Sequence, residues 1–257
     1  MKIAIIGNGW IGNMLKDYLK AEILPIRIEE IQEPLTGYDV VINASGKTAI
    51  DWCEVNKMGT FESNVLASVH LARMVPGKLV HFSSACVFES RTPDDVKDEN
   101  SIPNPQCFYA ETKLMAERLI LEIKPDTLII RPRLLLSEVP HPRNTLDKLL
   151  KYSRVIDSLE SVTVVEDMLP LIKQLIEEKA SGVFHVVNEG LIRPSEIMTL
   201  YGSTFETIPK ETLDKELATQ GKARRTSVSI VSNRIKPLPE IKARIIEVIK
   251  KHKELSK

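Results

Sequence analysis

No sign of charge prevails in this chain: Lys plus Arg and Asp plus Glu number 35 each, so no net field favours nucleic acid or an anionic membrane surface. Cysteine is scarce. Cys53, Cys86 and Cys107 are odd in number and have no metal-type spacing, which argues against a disulfide framework and against a metal centre. No apolar run approaches the roughly 20 residues that a membrane span needs, and Met1 leads into a short strand-like segment rather than a charged region followed by a long apolar one. Internal repeats and low-complexity linkers are missing too. These absences leave the expectation of a soluble, reduced, cytoplasmic protein acting on a small molecule, with no metal, no nucleic acid and no membrane among its partners. At 257 residues the chain is long enough for one large α/β domain, or for a larger domain with a smaller companion.

What is present begins with Lys2 to Ile6, a short apolar run, followed by Gly7-Asn8-Gly9-Trp10-Ile11-Gly12 and a helical pattern through Leu15, Tyr18 and Leu19. This is a strand, a glycine turn and a helix. Gly7 permits the tight turn, Gly9 lets a pyrophosphate approach the backbone, and Gly12 permits close helix-to-strand packing, with the helix N-terminus facing the phosphates. A second strand is expected within Ile23 to Ile28, interrupted by Pro25. At its end Arg27 would hold the 2′-phosphate of NADP(H) and Glu29 the ribose hydroxyls of NAD(H), and either also reads as a solvated charge. NADP(H) is favoured, with NAD(H) left open.

Asp39 to Asn43 predicts the next strand, and the small residues Ala44, Ser45 and Gly46 would let a nucleotide lie against its end. A helix is expected from Asp51 to Met74, with Trp52 near its start as a pocket residue or a core anchor, and Asn64 inside it, at face value a solvated amide. Lys78 to Phe82 forms another strand that ends in Ser83-Ser84-Ala85-Cys86. A polar loop follows, and then Phe108-Tyr109-Ala110-Glu111-Thr112-Lys113 opens an amphipathic helix whose Met115, Ala116, Leu119, Ile120 and Ile123 would seat it on the sheet. Tyr109 and Lys113, four residues apart, leave the same helical face. A nearby ammonium favours phenolate, so the pair could move a proton onto or off a carbonyl or alcohol oxygen. Ser84 lies one strand-loop-helix step earlier and can converge on the same oxygen.

Thr127 to Ile130 predicts a buried strand closed by Arg131-Pro132-Arg133. Beyond it we expect a helix from Asn144 to Tyr152, a strand Val162 to Val165, a helix Asp167 to Glu178 and a strand Val183 to Val187, both strands being assigned to the main sheet. The remainder reads as short helices and turns, ending in a helix whose Ile241, Ile245, Ile246 and Ile249 form one face.

The glycine turn, Ser84 and Tyr109 with Lys113 together resemble the extended short-chain dehydrogenase/reductase superfamily. Asp39-Val40-Val41-Ile42-Asn43-Ala44 followed by Thr48-Ala49-Ile50-Asp51 is similar to its dTDP-4-dehydrorhamnose reductase branch. A closer likeness, to the nucleotide-rhamnose synthase type of bifunctional 3,5-epimerase/4-reductase, rests on Gly9-Trp10-Ile11-Gly12, Val40 to Lys47 with Asp51-Trp52-Cys53-Glu54, Cys86-Val87-Phe88-Glu89 and Pro142-Arg143-Asn144 with Lys148. Tyr152 to Val155 and Asp167-Met168-Leu169-Pro170 continue it, and it fades beyond Tyr201. The glycine motif is one residue shorter than the Gly-x-x-Gly-x-x-Gly usual in extended members, and the hydroxyl is Ser84 where near relatives often have Thr.

The resemblance implies an α/β fold, a Rossmann doubly wound parallel sheet with a smaller C-terminal substrate-binding domain. Residues 1–133 and 162–190 would bind the dinucleotide, and 134–161 with 191–257 the substrate. It implies an NADP(H)-dependent reduction of a nucleotide-activated 4-keto-6-deoxyhexose combined with 3,5-epimerisation, giving a nucleotide rhamnose-type sugar. Tyr109 would protonate the C4 oxygen, Lys113 would lower the phenol's pKa and bind the nicotinamide ribose, and Ser84 would hydrogen-bond the same oxygen. Cys86 and Lys148 match the positions used for epimerisation, where the C4 keto group acidifies C3 and C5. Their plainer readings are a small buried hydrophobe and a solvated lysine. Gly7, Asn8, Gly9, Trp10, Ile11, Gly12, Arg27, Ala44, Ser45, Gly46 and Lys113 would hold the cofactor, and Lys47, Thr48, Trp52, Cys86, Arg143 and Asn144 the substrate. A homodimer is compatible with this reading. The alternatives are a monofunctional 4-reductase or 4-epimerase and a non-catalytic NADP-binding regulatory subunit. Ala85 and Cys86 stand where sugar-nucleotide 4,6-dehydratases carry an Asp-Glu pair, which argues against that activity.

Overall fold

Short, fully apolar segments alternating with helix-forming ones dictate the architecture. The structure, a computed structural model, describes residues 1–257. Its first part runs β1 (Ile3–Ile6), α1 (Trp10–Leu19), β2 (Glu22–Ile23), β3 (Val40–Asn43), α2 (Ile50–Val55), α3 (Lys57–Phe61), α4 (Ala67–Met74), β4 (Lys78–Phe82), α5 (Phe108–Ile123) and β5 (Leu128–Pro132). Then follow β6 (Leu135–Leu136), α6 (Thr145–Leu149), β7 (Arg154–Ile156), β8 (Thr163–Val164), α7 (Val165–Glu177) and β9 (Gly182–Val186). The chain closes with β10 (Asn188–Glu189), α8 (Pro194–Tyr201), β11 (Glu206–Ile208), α9 (Lys210–Thr219), β12 (Leu238–Glu240) and α10 (Ile241–Leu255).

Six strands form one parallel sheet in the order β2-β1-β3-β4-β5-β9. Because successive residues of a strand face opposite sides, Ile3 and Ile5 pack with Leu15 of α1 and Met168, Ile172 and Leu175 of α7. Ala4 and Ile6 pack with Leu71 and Ala72 of α4 and Ala116 and Ile120 of α5. Helices on both faces make this the expected doubly wound α/β fold, and they explain why β1 is apolar at every position. Register sets Ile6 beside Asn43 and Asn43 beside His81. The strand ends therefore share one edge, and the order reverses between β1 and β3, where such sheets open a crevice.

A second core gathers Leu146 and Leu149 of α6, Ile197 and Met198 of α8, and Ile241, Ile245, Val248 and Ile249 of α10. It lies beyond the sheet edge and supplies the far wall of the crevice.

Several local expectations need correcting. The second strand is Glu22–Ile23 and stops before Pro25, which has no N–H to donate; Ile28–Glu30 is instead a 3-10 turn. The helix expected over 51–74 is broken at Asn56, whose ψ of 57° is not helical, and then passes through a π-turn at Glu62–Leu66. Helix α6 is shorter than 144–152, with Asn144 as its cap. Strand β8 pairs with β6 in a separate two-stranded sheet, so of the two late strands only β9 joins the main sheet. On α10 Ile246 faces outward and Val248 takes its place in the core. The stripe expected to seat α5 also divides: Ala116 and Ile120 are buried, while Met115, Leu119 and Ile123 lie on the outer face at 41%, 45% and 37% exposure. The face that packs inward is polar as well as apolar, because it carries Tyr109, Thr112, Lys113 and Glu117.

Candidate active site

The glycine turn is built by close backbone approach. Gly7 has φ +116°, and a Cβ there would fall 2.6 Å from the Ala44 carbonyl carbon; one on Gly12 would fall 1.9 Å from the Gly7 oxygen. Gly12 therefore acts through packing and lines none of the clefts described here. Gly9 differs: a Cβ would meet nothing closer than Arg143 Nη1 at 3.3 Å, and α1 starts there without a side-chain cap. Its neighbour Ser45 is fixed by donating its N–H and hydroxyl to Asn43 Oδ1, at 3.1 and 2.6 Å. Asn8 Oδ1 accepts from Asn13 at 3.0 Å.

From this turn a trough of about 1070 Å³ runs along Gly7, Asn8, Ser45 and Lys47 to Arg27 and Glu29. Arg27 forms no ion pair, while Glu30 accepts its backbone N–H at 3.2 Å and Glu62 also borders the trough. Both charges considered for the ribose end are thus present on one wall.

A cleft of about 680 Å³ continues on the other side, sharing Ser45 and Lys47 with the trough. It is bordered by Gly9, Trp10 and Ile11 of the turn, Ala44 to Thr48, Trp52, Ser84, Tyr109, Lys113, Arg143 and Lys148. The strand end of β4 supplies Ser84, and the first turns of α5 supply Tyr109 and Lys113, so one strand-to-helix unit carries all three. Ser84 Oγ accepts the Cys86 N–H at 3.2 Å, and Tyr109 borders the same cleft. Burial holds the Tyr109 phenol above its ordinary value, with Cys86 adding to the shift and the nearby Ser84 hydroxyl opposing it. This is opposite to the depression expected from Lys113. The lysine is itself buried, donates to the Phe82 carbonyl at 2.5 Å, and has its pKa pushed down to about 8 by desolvation, with Glu117 opposing.

The cleft's opposite wall carries two cations. Arg143 and Lys148 are exposed, and neither side chain forms an ion pair. Crowding by the cleft wall first and the Arg143 charge second push the Lys148 ammonium below the usual lysine range. Trp52 is exposed rather than a core anchor and stacks its ring under Lys47 Nζ, 5.3 Å from the centroid.

Two expected site residues turn elsewhere. Asn144 is fully buried and spends its amide on the backbone, accepting from Ser137 and Leu146 and donating to Ser137 and Val139. Cys86 lies beneath the cleft, packed with Cys53, Cys107 and Tyr109, and its sulfur accepts from Arg133 Nη1 at 3.1 Å.

Other residues come forward that motif reading passed over. Asn64, buried in the π-turn, holds Lys47 at both backbone groups, at 2.7 and 3.0 Å, and reaches Thr112 at 3.2 Å. It thereby ties the loop after β3 to the helix of Tyr109 and Lys113, a use that π-turns often serve. The sequence reads as one continuous helix over 51–74 and carried no signal of it. Arg133 pairs with Glu160 at 2.7 Å in a buried bridge. It borders a second cavity of about 360 Å³, with Tyr152, Arg154 and Arg225, which meets the cleft at Leu134 and Thr145. Leu134, at the junction, has φ +36°, a left-handed conformation that a branched residue adopts only under strain.

A dinucleotide would fit this cradle on two observations. Gly9 leaves backbone open to the cleft, and the buried Ser83 Oγ on the cleft wall has no hydrogen-bond partner. Residues 25–200 match the model of the RmlD substrate binding domain. A bifunctional dTDP-4-dehydrorhamnose 3,5-epimerase/dTDP-4-dehydrorhamnose reductase of Arabidopsis thaliana is 26% identical over 76% of this chain and 72% of its own length. An Arabidopsis trifunctional UDP-glucose 4,6-dehydratase, 3,5-epimerase and reductase is 28% identical, the match spanning 34% of that protein. Among solved structures, the UDP-rhamnose synthase of Acanthamoeba polyphaga mimivirus superposes with a TM-score of 0.86 at 26% identity, covering 98% of this chain and 99% of that one. A dTDP-4-dehydrorhamnose reductase from Clostridium acetobutylicum gives 0.78 at 25% identity, covering 97% and 99%.

Proposed function

This chain belongs to the family of the RmlD substrate binding domain, and on that premise we propose that it reduces a nucleotide-activated 4-keto-6-deoxyhexose with NADP(H), with 3,5-epimerisation, to a nucleotide rhamnose-type sugar. NAD(H) is the alternative cofactor. The observation that carries the reading is the meeting of Ser84, Tyr109 and Lys113 in one cleft with an open glycine turn. In this reading residues 1–133 and 162–190 carry the dinucleotide, and 134–161 with 191–257 the sugar nucleotide.

Bound against the turn, the reduced nicotinamide would supply hydride to the sugar's C4. Tyr109 gives its proton to the C4 oxygen, and burial suits it to this role by keeping the phenol protonated until the oxyanion develops. Ser84 donates to the same oxygen. Lys113 holds a positive charge beside the reacting centre up to pH about 8. Lys148, with its lowered pKa, removes a proton at C3 or C5 from the opposite wall, and the return of a proton to the other face, which inversion requires, is the part for which the sequence names Cys86. The largely apolar cavity bordered by Tyr152, Arg154 and Arg225 takes the nucleoside end of the substrate, its arginines being held by Glu216 and Asp51.

One observation favours the monofunctional 4-reductase as a second reading: the Cys86 thiol faces Arg133 rather than the cleft. Incubation with dTDP- or UDP-4-keto-6-deoxyglucose and NADPH in deuterated water separates the two. Oxidation of NADPH with deuterium at C3 and C5 is expected. Oxidation without that exchange leaves a reductase, and no oxidation with either substrate overturns the enzyme reading.

A further inference from the structure

We propose that Arg143 is a ligand of the cofactor's diphosphate, delivered across the cleft from the second lobe, and that His141 is the positioning residue that holds it there. The proposal rests on the dinucleotide reading of the glycine turn, and moves Arg143 from the substrate to the cofactor.

Contact with the turn comes first. The Arg143 guanidinium stands over Gly9, where a Cβ would lie 3.3 Å from Nη1. No carboxylate neutralises it; only the backbone N–H of Arg143 has a hydrogen-bond partner. An unpaired planar cation beside open backbone N–H groups is the arrangement that binds a phosphate at two points. On the same cleft wall the buried Ser83 hydroxyl also lacks a partner, so the cleft is built for a polar ligand rather than for closure on itself.

The loop carrying Arg143 is held for this purpose. The His141 ring lies parallel to the Trp10 indole, 5.3 Å between centroids and 7° between planes, so the loop is clamped to the first turn of α1. His141 Nδ1 accepts the Arg143 N–H at 3.0 Å, which orients the arginine backbone. The His141 backbone N–H donates to Asp147 Oδ2 at 3.1 Å. That carboxylate oxygen also meets His252 Nε2 at 3.1 Å, and His252 Nδ1 meets the Tyr201 hydroxyl at 3.2 Å. The strap is thereby fastened to α8 and α10 at one end and rests on Trp10 at the other. Its register over Gly9 follows from residues that touch no ligand themselves.

Binding measurements on the full chain test this without turnover. NADPH is titrated by the fluorescence of its reduced nicotinamide, and adenosine 2′-monophosphate, which has the adenosine end and the 2′-phosphate but neither phosphate of the diphosphate, by calorimetry. For Arg143→Ala the NADPH Kd is expected to rise about tenfold or more, as for loss of a charge-assisted contact, with the Kd for adenosine 2′-monophosphate unchanged. The salt dependence of NADPH binding should become shallower. Arg143→Lys should recover part of the loss, and His141→Ala should produce an intermediate rise with the same indifference of adenosine 2′-monophosphate. If NADH binds better than NADPH, adenosine replaces adenosine 2′-monophosphate. An unchanged NADPH Kd in Arg143→Ala, or equal weakening of both ligands, overturns the assignment; weakened binding of UDP or dTDP with unchanged NADPH returns Arg143 to the substrate. Wild-type protein that binds neither dinucleotide overturns the function proposed above together with this inference, and that outcome is distinct from the others because it precedes any substitution.

Discussion

The two walls of the cleft are built on opposite terms. On the sheet side Ser84, Tyr109 and Lys113 are buried and set on one strand-to-helix unit, with Ser84 and Lys113 hydrogen-bonded to the backbone. On the strap side Arg143 and Lys148 are exposed cations without carboxylate partners, held only through their backbones and the neighbouring His141 and Asn144. A wall that performs proton transfer gains from dryness, because burial sets protonation states and removes competing water. A wall that captures a charged ligand gains from keeping its charges unpaired until the ligand arrives.

The largest test of this contrast is Tyr109→Phe. Turnover should fall by ~10²–10⁴, while NADPH binding, measured by fluorescence titration, stays at the wild-type level. Near-normal turnover would remove the chemistry from the sheet wall altogether. Next in size is Glu117→Gln. Glu117 lies one turn beyond Lys113 and pairs with Arg131 in a buried bridge, with contacts of 2.9 and 2.5 Å. Leaving that arginine unneutralised should lower stability to urea by ~3–5 kcal/mol, since the sheet wall is wired through it.

The pH dependence sharpens the comparison further. Lys113 is depressed from 10.5 to about 8 by burial, so below about 8 the folded protein carries the full penalty of a buried ammonium. Between about 8 and 10.5 the unfolded chain keeps a proton that the folded chain has released, and stability should therefore rise with pH across that window. Activity should move the other way, kcat/KM falling above pH about 8 as the ammonium is lost. A pH–rate profile flat through that range would mean that Lys113 contributes position but no charge. The smallest effect is reserved for the strap: Lys148→Ala should change unfolding stability by no more than ~0.5 kcal/mol, yet abolish deuterium uptake at C3 and C5. A large loss of stability there would show the strap to be as deeply wired as the sheet.

Much of the sheet wall was legible in advance. Glycines at 7, 9 and 12 after an apolar run, and a tyrosine and lysine four residues apart at a helix start, are local patterns whose geometry follows from chain periodicity. The polarity of the inner face of α5 was harder to see. An amphipathic count places Met115, Leu119 and Ile123 inward, but the helix rotates to bring Lys113 and Glu117 to the interior, where Phe82 and Arg131 satisfy them. Asn64 was hidden for a related reason: a π-turn shifts the helical phase, and nothing in the residues from 62 to 66 marks it.

The sequence by itself determined the strand-turn-helix cradle, the doubly wound sheet and the Ser84, Tyr109 and Lys113 set, because each depends on spacing along one short stretch of backbone. Only the tertiary structure decided that Asn144 is a cap, that Cys86 faces Arg133, and that Arg143 stands over Gly9. Those outcomes depend on how the second core docks against the sheet edge. Arg143 over Gly9, like His252 with Asp147, joins residues more than a hundred positions apart, and the energies that choose such contacts come from packing and pairing rather than from local propensity.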